Sequence, residues 1–268
     1  MWRIILAGIA TILLASCDHV FDYHPYAAKL SSKYEDINSK NLKRIMELDQ
    51  TKDTIRFIWL GDTQRWYDET HDFVKAVNQR DDIDFVVHGG DISDFGLRDE
   101  FCKMHDILSK LNVPYVAIIG NHDVLGLGSS IYNVIYGEPN FSFVFRGVKF
   151  LCLNTNALEY DYSTPVPDFD FLIDELKDSV NQYDRTIAMM HAQPGDIVFN
   201  NNVKYVFHEF LKSFPHLMFC THAHAHKLMQ NDFFNDGIIY YGADAIKGKN
   251  YMLFTVTKEG YQYEVVYF

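Results

Sequence analysis

Cysteine is scarce in this chain, four in 268 residues with no Cys-x-x-Cys pair. That excludes a disulfide-stapled mini-domain and a thiolate zinc site. Basic residues are few as well: 24 Lys and Arg stand against 36 Asp and Glu, a formal charge of −12. No basic run interrupts the acidity, so a surface that grips nucleic acid is not expected. No apolar run reaches the roughly 20 residues that a bilayer span needs. Proline and glycine, seven and 15 in number, build no linker after residue 54. The HExxH and GxSxG signatures are missing, which removes two hydrolase chemistries. What is plentiful is apolar mass: 48% of residues, with 21 Phe and 17 Tyr, enough to fill the core of an enzyme-sized domain.

The N-terminus reads differently from the rest. Arg3 precedes the apolar stretch Ile4–Leu14, about half the ~20 residues of a transmembrane helix. The stretch ends in Leu14-Ala15-Ser16-Cys17, which resembles a bacterial lipobox. Residues 1–17 are therefore expected to be a lipoprotein signal peptide, with Cys17 lipidated and anchoring an exported protein to a membrane, on the periplasmic face or at the cell surface. Residues 18–53 are expected to be a spacer with one short helix near 38–49. Residues 54–268 are expected to form a single domain.

From residue 54 strands and helices alternate. The apolar runs 55–60, 83–87, 115–119, 148–153, 186–190 and 217–220 read as strands, and 141–145 pairs with 148–153 across Arg146-Gly147. Trp66, Thr70, Phe73 and Val77 recur with helical spacing, as do Leu97, Phe101, Met104, Leu108 and Leu111. Helices are also expected over 169–180 and 202–213, and a strand meander over 238–268. The fold class is α/β. Cys102, Cys152 and Cys220 fall in apolar runs or a helix and read as free thiols.

Polar groups gather where the strands end. Strand 55–60 runs into Asp62-Thr63-Gln64, 83–87 into Gly90-Asp91 and Asp94, and 115–119 into Asn121-His122-Asp123. Strand 186–190 ends in His191, and 217–220 runs into Thr221-His222-Ala223-His224-Ala225-His226. In an open α/β sheet that edge is where ligands bind. Oxygen and imidazole donors without thiolate favour Mn, Fe, Zn or Mg.

In this order and spacing the motifs resemble the calcineurin-like metallophosphoesterases, whose pattern is DxH, GDxxD, GNH(D/E), H and GHxH. The resemblance implies a four-layered α-β-β-α sandwich and two divalent metal ions. It implies that Asp62, Gln64, Asp91 and His224 hold the first ion, and that Asp91 bridges to a second held by Asn121, His191 and His222. It implies a phosphoesterase acting on a small phosphoester, a diester more than a monoester, through hydroxide activated between the ions. His122 would lie over the substrate, Asp123 would orient its imidazole, and Asp94 would support the site. Gln64 stands where the pattern has His, which predicts looser binding of the first ion or a preference for a harder one; Thr221 stands where it has Gly. A kept fold without turnover, a metal- or ligand-binding lipoprotein, is the alternative.

Other residues are assigned more simply. Arg65, Arg98 and Tyr162, with Trp66 and Tyr67, flank the motifs and are candidate substrate contacts. His226 is not expected to be a ligand, because the pattern uses two of the three histidines. His88 is expected in the core, and His71, His105, His208 and His216 in solvated or capping positions. Gly126–Ser130 is expected to be a flexible rim loop.

Overall fold

A computed structural model describes residues 30–160, 164–177 and 182–268. The expected signal segment 1–17 with Cys17, and also Tyr162, lie outside the described residues. The chain runs α1 (Ile37–Met46), β1 (Ile55–Leu60), α2 (Tyr67–Val77), β2 (Phe85–His88), α3 (Arg98–Leu108) and β3 (Tyr115–Ala117). Then come α4 (Gly128–Ile135), β4 (Phe141–Phe145), β5 (Val148–Leu153), α5 (Phe169–Lys177), β6 (Arg185–Met190) and α6 (Lys204–Lys212). Strands β7 (Leu217–His222), β8 (Met229–Asn231), β9 (Tyr240–Gly242), β10 (Asn250–Thr257) and β11 (Gly260–Tyr267) complete it.

Two sheets form, ordered β11-β10-β1-β2-β3 and β4-β5-β6-β7-β9-β8. Strand alternation explains why they stack. Phe57 and Trp59 of β1 point between the sheets, and Ile58 and Leu60 point to the helices. Strand β5 divides likewise, with Phe150 and Cys152 facing the first sheet and Leu151 and Leu153 facing α5 and α6. Three apolar cores thus separate four layers, the α-β-β-α order expected from the sequence. Phe57, Phe85, Phe150 and Phe219 fill the middle core, each stabilising by about 1.5–3 kcal/mol through burial. The Trp59 indole donates to the His222 carbonyl at 3.0 Å, so its polar atom is satisfied there.

Several expectations change. The helix of the supposed spacer is part of the domain: Ile37 and Ile45 of α1 are buried in the cores. The Asn38 amide donates to Ala117 O (2.9 Å) and accepts from Ala117 N (2.8 Å), so it pairs with the edge strand β3 as a neighbouring strand would. The tail is no meander, because β9 lies parallel to β7 in the second sheet and only β10–β11 is a hairpin of the first. Gly128–Ile135 is a helix, with Ile131, Tyr132 and Ile135 buried, so only the start of Gly126–Ser130 is loop. His105 and His208 are not solvated. His105 bonds the Tyr115 hydroxyl at 2.7 Å, and His208 lies between the Tyr240 hydroxyl and Asp236 at 2.9 and 2.8 Å. Cys152 and Cys220 are buried free thiols, and Cys102 is half-buried.

Candidate metal centre

The strands β1, β2, β3, β6 and β7 end on one edge, and the turns that follow carry the polar motifs. Those turns bend sharply. Asp62, Gln64, Asp91, His224 and His226 all have positive φ, between 30° and 65°, and make up half of the ten non-glycine residues so found among those described. Each such residue costs on the order of 1–2 kcal/mol and persists only when its surroundings hold it. Here Asp62 N donates to Gly90 O at 2.9 Å, and Thr63 N and Gln64 N both donate to Asp91 O, at 3.1 and 3.0 Å. Glycine is required beside them. A Cβ on Gly120 would collide with the Asp91 backbone and carboxylate, and Gly90, at φ +97°, faces His191 Nδ1.

Two groups of donors result, sharing one residue. Candidate ligand atoms of Asp62, Asp91 and His226 lie within 4.8 Å of one another, as do those of Asp91, His191 and His224. Asn121 joins the second group, with its Oδ1 3.0 Å from His191 Nε2. Gln64 joins the first, but its Nε2 donates to Asp91 Oδ2 at 2.8 Å, so its amide holds the shared carboxylate.

These atoms suit cations. His191 Nδ1 lies 2.8 Å from Gly89 O, an acceptor, so Nδ1 carries the proton. Burial pushes the His191 pKa down to about 4, which leaves a lone pair on Nε2 at neutral pH. That lone pair faces Asn121 Oδ1 and Asp91 Oδ1, the latter at 3.4 Å. Asp62 Oδ1 is fully buried and accepts no well-aligned hydrogen bond, although His226 Nε2 is 3.2 Å away. Burial and then the Asp62 charge push Asp91 up to about 7. Burial also pushes Asp62 upward, but His226, His191 and His224 outweigh it and hold that carboxylate down. Two buried carboxylates surrounded by acceptors are a site that a divalent cation would complete.

The last motif needs correction. His222, expected beside the second ion, belongs to neither group. It is the last residue of β7, fully buried, with its ring against Gly242 and burial pushing its pKa down to about 4. The chain then leaves the strand at the left-handed His224, so the alternation that would align three histidines stops. His224 therefore faces the second group and His226 the first, one step along the His-x-His-x-His run. The residue before that pair is the buried Ala223, and Thr221 lies inside the strand.

His122, whose side chain is about a third exposed, has its Nδ1 2.8 Å from the Asp94 carbonyl. Asp123 does not orient that ring. It is fully buried and accepts from Ile92 N, Ser93 N, Ser93 Oγ and Gly120 N, tying the second and third motifs together. Burial and then the charge of Asp91 push its pKa up to about 7. The Asp94 side chain pairs with Arg65, and Arg98 pairs with Asp99 at 3.1 Å. Trp66 meets the His226 ring edge-on, with centroids 5.9 Å apart. His88 is a core histidine, as expected, bonded to Thr63 Oγ1 at 2.8 Å.

One residue escaped sequence reasoning altogether. Asp196 lies 3.3 Å from His224 Nε2 and is fixed by Val198 N at 2.9 Å. Its trace in the sequence is faint: a carboxylate just after the Pro194-Gly195 turn that follows His191. Burial alone would lower the His224 pKa, but Asp196 outweighs it.

Two sheets between helices bring Asp, Asn and His together from five strand ends, a donor set suited to divalent cations. Residues 55–226 match the family described as calcineurin-like phosphoesterase. The chain belongs to that family. A curated relative, the uncharacterized protein YvnB of Bacillus subtilis (strain 168), is 28% identical over 117 residues. That is 38% of this chain but 9% of that protein, so the likeness spans less than a tenth of its length. Among solved structures the chain is similar to GAP50, the anchor in the inner membrane complex of Plasmodium (TM-score 0.61, 12% identity, 81% of this chain and 85% of that one). It is also similar to the purple acid phosphatase PPD1 of yellow lupin (Lupinus luteus) seeds (TM-score 0.59, 12% identity, 81% and 52%). At such identity both likenesses speak for the fold.

Proposed function

We propose that the chain hydrolyses a phosphodiester with two divalent cations. One is held by Asp62, Asp91 and His226, the other by Asp91, Asn121, His191 and His224. The observation that carries this reading is Asp91, the one carboxylate common to two groups of converging acceptors. When bound, the cations supply an activated water and positive charge for the phosphoryl oxygens.

The chain's own residues do the rest. The Asp94 carbonyl accepts from His122 Nδ1, so in the doubly protonated ring that bond is kept while Nε2–H gives its proton to the departing oxygen. Gln64 and His122 N hold the two oxygens of Asp91. Asp123 locks the loops that carry Asp91 and Asn121. The Arg65 and Arg98 side chains already have carboxylate partners, which favours a singly charged diester over a doubly charged monoester.

The test is an assay of the metal-stripped chain on bis-p-nitrophenyl phosphate and p-nitrophenyl phosphate, with Mn, Zn, Mg or Fe added singly. Turnover should return with metal, favour the diester, and fall about a thousandfold or more in Asp91→Asn. Stoichiometric metal uptake without turnover would overturn the reading.

Lipid anchoring through Cys17 is also proposed, on the strength of Ile4–Leu14 followed by Leu14-Ala15-Ser16-Cys17. Cys17→Ser should move the protein from the membrane fraction to the soluble one. An unchanged distribution would refute the anchor.

A further inference from the structure

Large apolar side chains left in water are not scattered evenly over this molecule. Eight are exposed among the described residues, and six of them are Phe95, Leu127, Leu158, Ile197, Tyr205 and Val206. All six lie on loops or helix starts that follow strand ends on the metal-centre edge. Phe95 follows Asp94, and Ile197 follows Asp196. Leu127 is five residues past His122, and Leu158 is three past Thr155, whose hydroxyl accepts from the amide beside His191 at 3.1 Å. Tyr205 and Val206 open α6, which the loop after His191 leads into.

The loops touch in series. A Cβ on Gly96 would run into Leu125 O and Gly128. Ser129 Oγ lies 3.4 Å from the Tyr160 hydroxyl, and Leu158 N donates to Val198 O at 3.1 Å. Phe95, Leu127, Leu158 and Ile197 therefore stand on one series of touching loops, a collar that Tyr205 and Val206 of α6 follow in the chain. Single exposed apolar residues are ordinary, but a cluster of them marks a surface that binds something. Arg65 pairs with Asp94, Arg98 with Asp99, and Lys204 lies over the Tyr205 ring. Apolar contact is what the collar offers.

We propose that the collar takes the alkyl chain of an amphipathic phosphoester, so that the substrate class is a lipid phosphodiester met at a bilayer. An apolar rim around a phosphoester-cleaving centre matches a molecule whose phosphate and hydrocarbon are neighbours. The proposal rests on the reading of the chain as a phosphodiester hydrolase.

Two arms test it with the metal-loaded chain carrying Cys17→Ser, so that no lipid anchor contributes, and with the same chain bearing Phe95→Ser/Ile197→Ser. The first compares kcat/KM for octyl and methyl p-nitrophenyl phosphate. The parent chain should favour octyl by roughly tenfold or more, and the variant should lose most of that ratio. The second measures flotation with phosphatidylcholine vesicles, where the variant's partition should drop several-fold. Thermal melting checks that the variant is folded, and Leu127→Ser/Leu158→Ser serves as the replacement if it is not.

A changed ratio with unchanged flotation supports the alkyl contact but overturns the bilayer as its source. Changed flotation without turnover of any ester keeps the lipid contact and sinks the hydrolase reading. Turnover with neither arm moved keeps the hydrolase, overturns the collar's role, and leaves the rim to a protein partner.

Discussion

The two donor groups share Asp91 yet are built unequally. In the second, His191 is wholly buried and fixed by the Gly89 carbonyl, and His224 lies against Asp196. In the first, the His226 side chain is 42% exposed, and Gln64 spends its amide on Asp91. A donor whose far nitrogen is held loses less freedom on binding metal than one that must be gathered from solvent. The difference teaches that burial and outer partners decide which position fills first. The second position should load tightly, and the first should exchange with the medium.

That contrast can be pressed with substitutions. The largest effect is expected from His226→Ala, which should empty the first position and cost about a hundredfold or more in turnover. His222→Gln should keep both ions, so metal content by mass spectrometry separates the two histidines. If His222→Gln loses an ion while His226→Ala keeps both, then His222 is the ligand and His226 a bystander.

Next comes Asp196→Asn, expected to weaken the second ion about 10–100-fold, as loss of a carboxylate behind a ligand does. Chelator competition reads this directly, and an unchanged affinity would reduce Asp196 to a loop brace. Gln64→His should strengthen the first position by about tenfold and narrow the gap between the groups. Titration showing no change in affinity or metal preference would leave Gln64 without a part in that gap.

The smallest effect lies outside both groups, at His105, whose pKa burial lowers to about 4. The unfolded chain takes up that proton near pH 6.5 and the folded one refuses it, so stability is lost as pH falls from about 6.5 to about 4. His105→Gln lacks this loss. Its melting temperature should gain on the wild type by a few degrees over that window, and parallel curves would tell against it.

Much of the fold is legible in the sequence because the buried strands announce themselves as short apolar runs, and five of them end in a polar motif. Asp62, Asp91, Asn121 and His191 stand at such ends and meet in space as their spacing suggests. The histidine frame is not legible: His-x-His-x-His reads the same in two registers, and only the left-handed turn at His224 chooses between them. Asp196 is hidden because it acts through His224 from a different strand end. His105 and His208 look solvated in the sequence because the tyrosine hydroxyls that receive them come from distant segments. The exposed collar leaves no periodic trace, since isolated apolar residues in loops are common.

The pairing of Asn38 with Ala117 reaches beyond packing. Strand β3 ends its sheet, and one amide in α1 occupies the hydrogen-bonding groups that a second molecule would otherwise use. A fragment begun at residue 54, close to where the family match starts, would lack that guard. Its strands would zip edge to edge into dimers and larger aggregates visible by light scattering. The first helix of the domain thus works as a sheath, keeping each copy of the chain to itself.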